Sequence, residues 1–269
     1  MNTDHMNREE RWSAARRVAT GHVLAAVSGS RWADELVLRG SVLLRTWYGS
    51  LAREPGDLDF IVLPVYRRLG DDQARAMLDG IVRDAEEASR RDQDSGVLLT
   101  AKDTVQEETW EYTSAPGVRL LVPWKTMKHG WAKGEDPLSG NVQIDLAFAE
   151  PMPVEPEVAL VSGPGGEPLA VQAATPGLSL AWKVYWLLSD EDKRPKDLYD
   201  AWLLAQHTPL DPDLLHAVHL ASEFGPCFLR MTDLRRVKLD EDEFRAEVPG
   251  VPGTAADYVR LLADTLRFA

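Results

Sequence analysis

Asp57-Leu58-Asp59-Phe60-Ile61-Val62-Leu63 is the stretch whose reading decides the fold. Two carboxylates stand at i and i+2 and lead into a β-branched, aromatic run that stops at Pro64. On a strand, i and i+2 point to the same face. Asp57 and Asp59 can therefore converge on one hard cation while Leu58 turns the other way into a core. Mg²⁺ takes oxygen ligands, commonly one or two carboxylates plus substrate phosphates. Upstream, the apolar run Leu36-Val37-Leu38 meets the small-residue turn Gly40-Ser41. A helix over Ser41–Tyr48 follows, and its free N–H groups are suited to holding a phosphate. Turn, helix, loop and paired-Asp strand together read as a site for transferring a nucleotide.

An Asp-x-Asp pair alone carries no such meaning. The chain has four more, Asp92/Asp94, Asp190/Asp192, Asp211/Asp213 and Asp240/Asp242. All lie in polar or helical contexts, where solvated charge, a turn or a helix cap is the plainer reading. Only Asp57/Asp59 leads straight into a strand-like run behind a Gly-Ser turn.

A third carboxylate belongs with them. In Asn141-Val142-Gln143-Ile144-Asp145-Leu146-Ala147-Phe148 the apolar residues alternate with Gln143, Asp145 and Ala147. Asp145 thus shares a polar face with Gln143, and an adjacent antiparallel strand would bring it beside Asp57 and Asp59. Three clustered carboxylates need a cation, because like charges raise one another's pKa. Two Mg²⁺ ions could then activate an attacking hydroxyl and stabilise a leaving pyrophosphate.

A triphosphate also needs basic groups. Lys183 interrupts the apolar run Leu178 to Leu188, where an unpartnered ammonium is costly. It is expected either to snorkel or to reach a phosphate or carboxylate, emerging into a cleft between two lobes. Lys196, Asp197 and Asp200 follow in Arg194-Pro195-Lys196-Asp197-Leu198-Tyr199-Asp200, with an ordinary helix-start ion pair as the plain alternative. Arg119 and Lys125 flank a strand placed two before that of Asp145, and one of them can face the site. Lys125, Lys128, His129 and Lys133 interleave with Trp124 and Trp131 in a manner that could stack bases and hold phosphates, although a solvated loop is the plainer reading. The histidines His5, His129, His207, His216 and His219 show no metal-ligand spacing. There is no Gly-Lys-Ser/Thr phosphate loop, and Gly163-Pro164-Gly165-Gly166 reads as a turn.

Composition sets the frame. The 269 residues suit one large domain or two smaller ones. A single cysteine, Cys227, excludes an internal disulfide framework and fits a reducing compartment. No apolar stretch approaches a membrane span and the first residues carry no apolar signal region, so a cytoplasmic protein is expected. A net charge of −13 disfavours nucleic acid unless basic residues gather locally, and suits a cationic small molecule.

Along the chain, helical spacing covers 9–28, 41–48 and 71–91. Strand-like runs cover 36–38, 57–63, 97–100, 104–113, 117–123 and 142–149. Residues 151–166, rich in Pro and Gly, read as a meandering linker. Helices are expected at 178–188, 196–206, 211–223 and 254–268. The expected organisation is an α/β (α+β) domain over 1–175, with a mixed sheet flanked by helices, then a helical C-terminal domain over 176–269.

Taken in order, Leu38-Arg39-Gly40-Ser41, Arg53 to Phe60, Gln143-Ile144-Asp145, Ala181-Trp182-Lys183 and Arg194 to Asp200 resemble the AbiEii/AbiGii toxin branch of the polymerase-β nucleotidyltransferase superfamily. The resemblance spans about residues 33 to 205. It implies a polymerase-β-like fold and an Mg²⁺-dependent transfer of NMP from an NTP to an acceptor hydroxyl. Asp57, Asp59 and Asp145 would hold metal, Gly40 and Ser41 would bind phosphate, and Lys183, with Lys196, Asp197, Lys125 or Arg119, would serve the nucleotide. It further implies an RNA acceptor such as the tRNA 3′ end and a separate antitoxin protein. Two positions depart from the pattern. Pro55 replaces a Ser, so phosphorylation there cannot operate, and Trp182 replaces a Glu before the helix Lys. Two rival readings remain: modification of a cationic antibiotic or similar small molecule, and an inactive binding module.

Overall fold

The computed structural model describes residues 7–109, 116–127, 136–222 and 231–266. The chain divides into two compact units. Unit 1 comprises 1–46, 55–150 and 157–173, and unit 2 comprises 47–54, 151–156 and 174–269.

Unit 1 is built on a mixed sheet. Its strands are β1 (Leu36–Arg39), β2 (Leu58–Val62), β3 (Val97–Leu99), β4 (Val105–Thr109), β5 (Gly117–Thr126), β6 (Ser139–Ala147), β7 (Glu157–Ser162) and β8 (Pro168–Ala173). The order is β3-β5-β6-β2-β1-β8-β7, with β4 also paired to β5. Two pairings are parallel, β2 with β6 and β1 with β8. Helix α1 (Arg8–Gly29) packs on α3 (Asp72–Arg91) and runs against β3, β5, β6 and β8. A full capping box between Asn7 and Glu10 starts α1, so two otherwise orphan N–H groups are satisfied. The short α2 (Ser41–Tyr48) rises directly from the end of β1.

Alternation sorts the sheet into two faces. Leu58 pairs with Ile144 and Phe60 with Leu146, while Val118, Leu120 and Val122 continue the same apolar rows across β5. All of these are buried. At about 25 cal/mol per Å² of apolar surface, such rows are the main source of the sheet's stability. In α3 a glycine, Gly80, stands where a Cβ would meet the Trp32 ring at 2.0 Å. The ring of Trp32, 6% exposed, takes that space.

Two expectations are corrected here. The 151–166 segment is not a linker throughout: β7 lies inside it and forms a hairpin with β8. The turn of that hairpin is Gly163-Pro164-Gly165-Gly166, with Gly166 at φ +89. The Pro and Gly that suggested a meander mark the ends and the tip of two strands. The neighbour that delivers Asp145 is parallel to β2, not antiparallel, and β5 directly precedes β6 rather than lying two strands earlier.

Unit 2 is helical: α4 (Pro176–Ser189), α5 (Pro195–Ala205), α6 (Pro212–Ala221), α7 (Glu241–Glu247) and α8 (Ala255–Thr265). Proline occupies the first turn of α4, α5 and α6, where its missing N–H costs nothing. Asp211 caps α6 and Asp240 caps α7, which accounts for two of the four spare Asp-x-Asp pairs. Helix α7 was not legible as an element, since seven residues are too few to show a period.

Candidate active site

The polar face of the sheet carries a row of charge at right angles to the strands. Arg39 pairs with Asp59, Asp59 with Asp145, Asp145 with Arg119, and Arg119 with Glu107. Residues directly opposite on neighbouring strands have Cβ atoms about 5 Å apart, so the row needs no long side chains to close. Asp57, two residues before Asp59, joins the same face. One carboxylate oxygen from each of Asp57, Asp59 and Asp145 lies within 4.8 Å of the others, and all three residues are half-buried. The parallel register of β2 and β6 thus does what the i, i+2 spacing cannot do alone: it adds the third carboxylate.

Asp145 is tightly held. Arg119 donates from Nε to one of its oxygens at 2.8 Å and from a terminal nitrogen to the other at 3.0 Å. The side-chain amide of Gln143 donates to the second oxygen at 2.8 Å. Arg39, on the other flank of the row, is buried and paired with buried Glu150 at 2.5 Å. Ala149, just before Glu150, sits at φ +57, a left-handed conformation that costs a non-glycine residue about 1 kcal/mol.

The Gly40-Ser41 turn meets this row at Gly40. Its φ is +82, and a Cβ there would lie 2.6 Å from the Asp59 Oδ2. Glycine is therefore required twice over, for the turn and for the approach of Asp59. Ser41 opens α2, is 1% exposed, and its Oγ is buried with no hydrogen-bond partner among the described residues. An orphan hydroxyl at a helix N-terminus, a glycine with no room for a side chain and three converging carboxylates form an all-oxygen donor set. Such a set fits a hard divalent cation with a phosphate beside it.

Lys125 is exposed near the end of β5, opposite Ser139 and well along the strand from Asp145. Lys128, His129, Trp131 and Lys133 lie outside the described residues, as do His5 and Cys227. Trp124 is 2% exposed and packs on Trp12 with centroids 5.8 Å apart, so it has no free face for a base.

Lys183, Lys196 and Asp197 belong to unit 2. Lys183 lies 2.5 Å from Asp197 and 3.4 Å from Asp200, all three buried. Arg53 closes the network with a fork onto Asp200 at 3.1 to 3.3 Å. Burial alone would lower the Lys183 pKa. Asp197 and then Asp200 outweigh it against the opposing Arg53, and the net shift is upward. Lys183 therefore meets carboxylates in this structure, and the Trp186 ring lies 5.1 Å from its Nζ. Lys196 is half-buried, and its backbone N–H donates to Glu247. Ser41 is among the residues expected from sequence; Glu150 carries no sequence signal, and Arg53 stands only at the head of the Arg53 to Phe60 segment, four residues before Asp57.

The chain matches the family model "Nucleotidyl transferase AbiEii toxin, Type IV TA system" over residues 22–269 and belongs to that family. No curated protein sequence matches it significantly. Among solved structures, it is similar to a candidate nucleotidyltransferase from H. pylori at 14% identity and TM-score 0.56. The alignment covers 94% of this chain and 92% of that one. At that identity the likeness speaks to the fold, which is the mixed α/β nucleotidyltransferase architecture.

Proposed function

We propose that this AbiEii-family nucleotidyltransferase transfers NMP from an NTP to a hydroxyl of RNA, such as the tRNA 3′ end, and acts as the toxin of a pair with a separate antitoxin protein. The observation that carries the reading is the convergence of Asp57, Asp59 and Asp145 beside the Gly40-Ser41 turn. In the reaction the acceptor oxygen bonds to the α-phosphorus as the bond to pyrophosphate breaks. Asp57, Asp59 and Asp145 would hold two Mg²⁺ ions. When bound, such ions lower the pKa of a coordinated hydroxyl and offset charge on the leaving oxygens. Gly40 gives the phosphates close access to the backbone, and the α2 N–H groups with Ser41 Oγ supply donors to them. Asp145 is assigned the acceptor's proton. Lys183, Lys196 and Asp197 enter as the basic and acidic groups that the family pattern assigns to the nucleotide.

The test is incubation of the protein with each labelled NTP, Mg²⁺ and total RNA. Label on RNA, lost in Asp59→Ala with the fold retained, supports the reading. A net charge of −13 favours the rival acceptor, a cationic small molecule. Label on such a compound and never on RNA would replace the RNA reading with that one.

A further inference from the structure

Three carboxylates within 4.8 Å carry like charge in a half-buried place, so something must offset it before any metal arrives. The sheet supplies that charge from the neighbouring strand. Arg119 is the direct cross-strand partner of Asp145 and spans both of its oxygens with two nitrogens. A fork of this kind is the strong, geometrically exact form of the arginine–carboxylate pair. It leaves each oxygen with lone-pair capacity to spare, but sets a positive charge beside the place a cation would take. Arg39, on the opposite flank, is matched by buried Glu150.

We propose that Arg119 is a built-in counter-cation of the triad, a positioning residue that makes divalent-cation binding weak in the free protein and dependent on nucleotide. The proposal rests on the reading of Asp57, Asp59 and Asp145 as the metal ligands. A free cation meets the Arg119 charge a few Å away and is penalised. A cation arriving with a triphosphate brings compensating negative charge, for which the guanidinium is also a partner. Coupling between the two ligands follows, and by linkage it is reciprocal. Arginine suits the task better than lysine because the fork fixes the carboxylate while the charge stays permanent.

Mn²⁺ affinity, read by electron paramagnetic resonance with and without a non-hydrolysable NTP, tests this without turnover. In the wild-type protein the nucleotide should tighten Mn²⁺; no tightening overturns the proposal. Arg119→Gln should bind free Mn²⁺ at least about tenfold tighter than wild type, a floor well under the roughly thousandfold that a unit charge about 4 Å away carries at an effective dielectric near 20. It should also lose most of the nucleotide dependence and show a larger Mn²⁺-induced rise in Tm. Arg119→Lys, which keeps the charge but loses the fork, should retain most of the penalty on free Mn²⁺ and bind it more weakly than Arg119→Gln. Equal or weaker Mn²⁺ binding by Arg119→Gln makes Arg119 a purely structural tie and overturns the proposal. Asp59→Asn serves as the separate control: if it binds Mn²⁺ like wild type, the metal-site reading itself falls.

Discussion

At the scale of single residues, Gly40 ties the Gly40-Ser41 turn to the carboxylate face of the sheet. Gly40→Ala forces a Cβ into the left-handed region and against Asp59 Oδ2. The backbone term costs about 1 kcal/mol, and the clashing atom is the end of a side chain that can swing away. The fold should survive with a slightly lower Tm, while the carboxylate moves off its position. A displacement of about 1 Å at a reacting centre costs on the order of 10²-fold in rate. Nucleotide-transfer rate should therefore fall far more than stability, as measured by kinetics beside thermal melting. Asp190, after the last turn of α4, gives a pH prediction. Burial is the main cause that raises its pKa to about 6, with Ser189 opposing and Asp197 adding to the rise. A folded-state pKa above the unfolded value of an acid means that the native state binds the extra proton. Its contribution is therefore favourable at low pH and is lost as pH rises from about 4 to 6. Asp190→Asn should be more stable than wild type at pH 7.5, by about 1 kcal/mol after allowance for its partial exposure, and near equal at pH 4. Denaturant midpoints at the two pH values check this.

At the scale of elements, the buried network between α4 and α5 is the clearest case. Lys183→Met removes the cation paired with both Asp197 and Asp200 and takes that partner from buried Asp197, while Arg53 stays on Asp200. Breaking such a set by taking one member typically costs about 3–5 kcal/mol. Urea unfolding should show that loss, and a variant as stable as wild type would contradict the buried pairing. The elements also show what a sequence can and cannot disclose. Helices α1 to α6 and α8 and strands β1 to β6 were legible, because period and punctuation are local properties. The convergence of Asp57 and Asp59 was legible for the same reason. The parallel pairing of β2 with β6 was not, since strand direction is set by long-range connectivity. Strands β7 and β8 were hidden by the Pro and Gly around them. The fork from Arg119 to Asp145 depends on register between β5 and β6, which no spacing within either strand reveals.

At the scale of the whole molecule, charge and acceptor stand in tension. A chain of net charge −13 that labels RNA must gather its basic residues locally. Of the expected basic loop, Lys125 is exposed and described, whereas Lys128 and Lys133 fall outside the described residues. Changing Lys125, Lys128 and Lys133 to Glu should depress RNA labelling and flatten its salt dependence while NTP binding persists. Unaltered labelling across a salt series would remove that loop from RNA recognition. Among the described residues no helix is long and apolar enough to cross a membrane.

The late position of the β7–β8 hairpin has a consequence for biosynthesis. The rows bearing Asp57, Asp59, Asp145 and Arg119 can close once the chain has been made through β6. Strand β1, all four residues of which end up buried, must wait for β8 to cover its other side. Until then the nascent protein presents a bare apolar edge, the sort of surface that recruits another chain. At about 5–20 residues per second, the interval lasts on the order of seconds. A substitution that weakens the hairpin, such as Val161→Lys, should therefore lower the yield of native protein on expression at 37 °C more than it lowers the Tm of the purified fraction, and a chaperone-rich host should recover much of the loss.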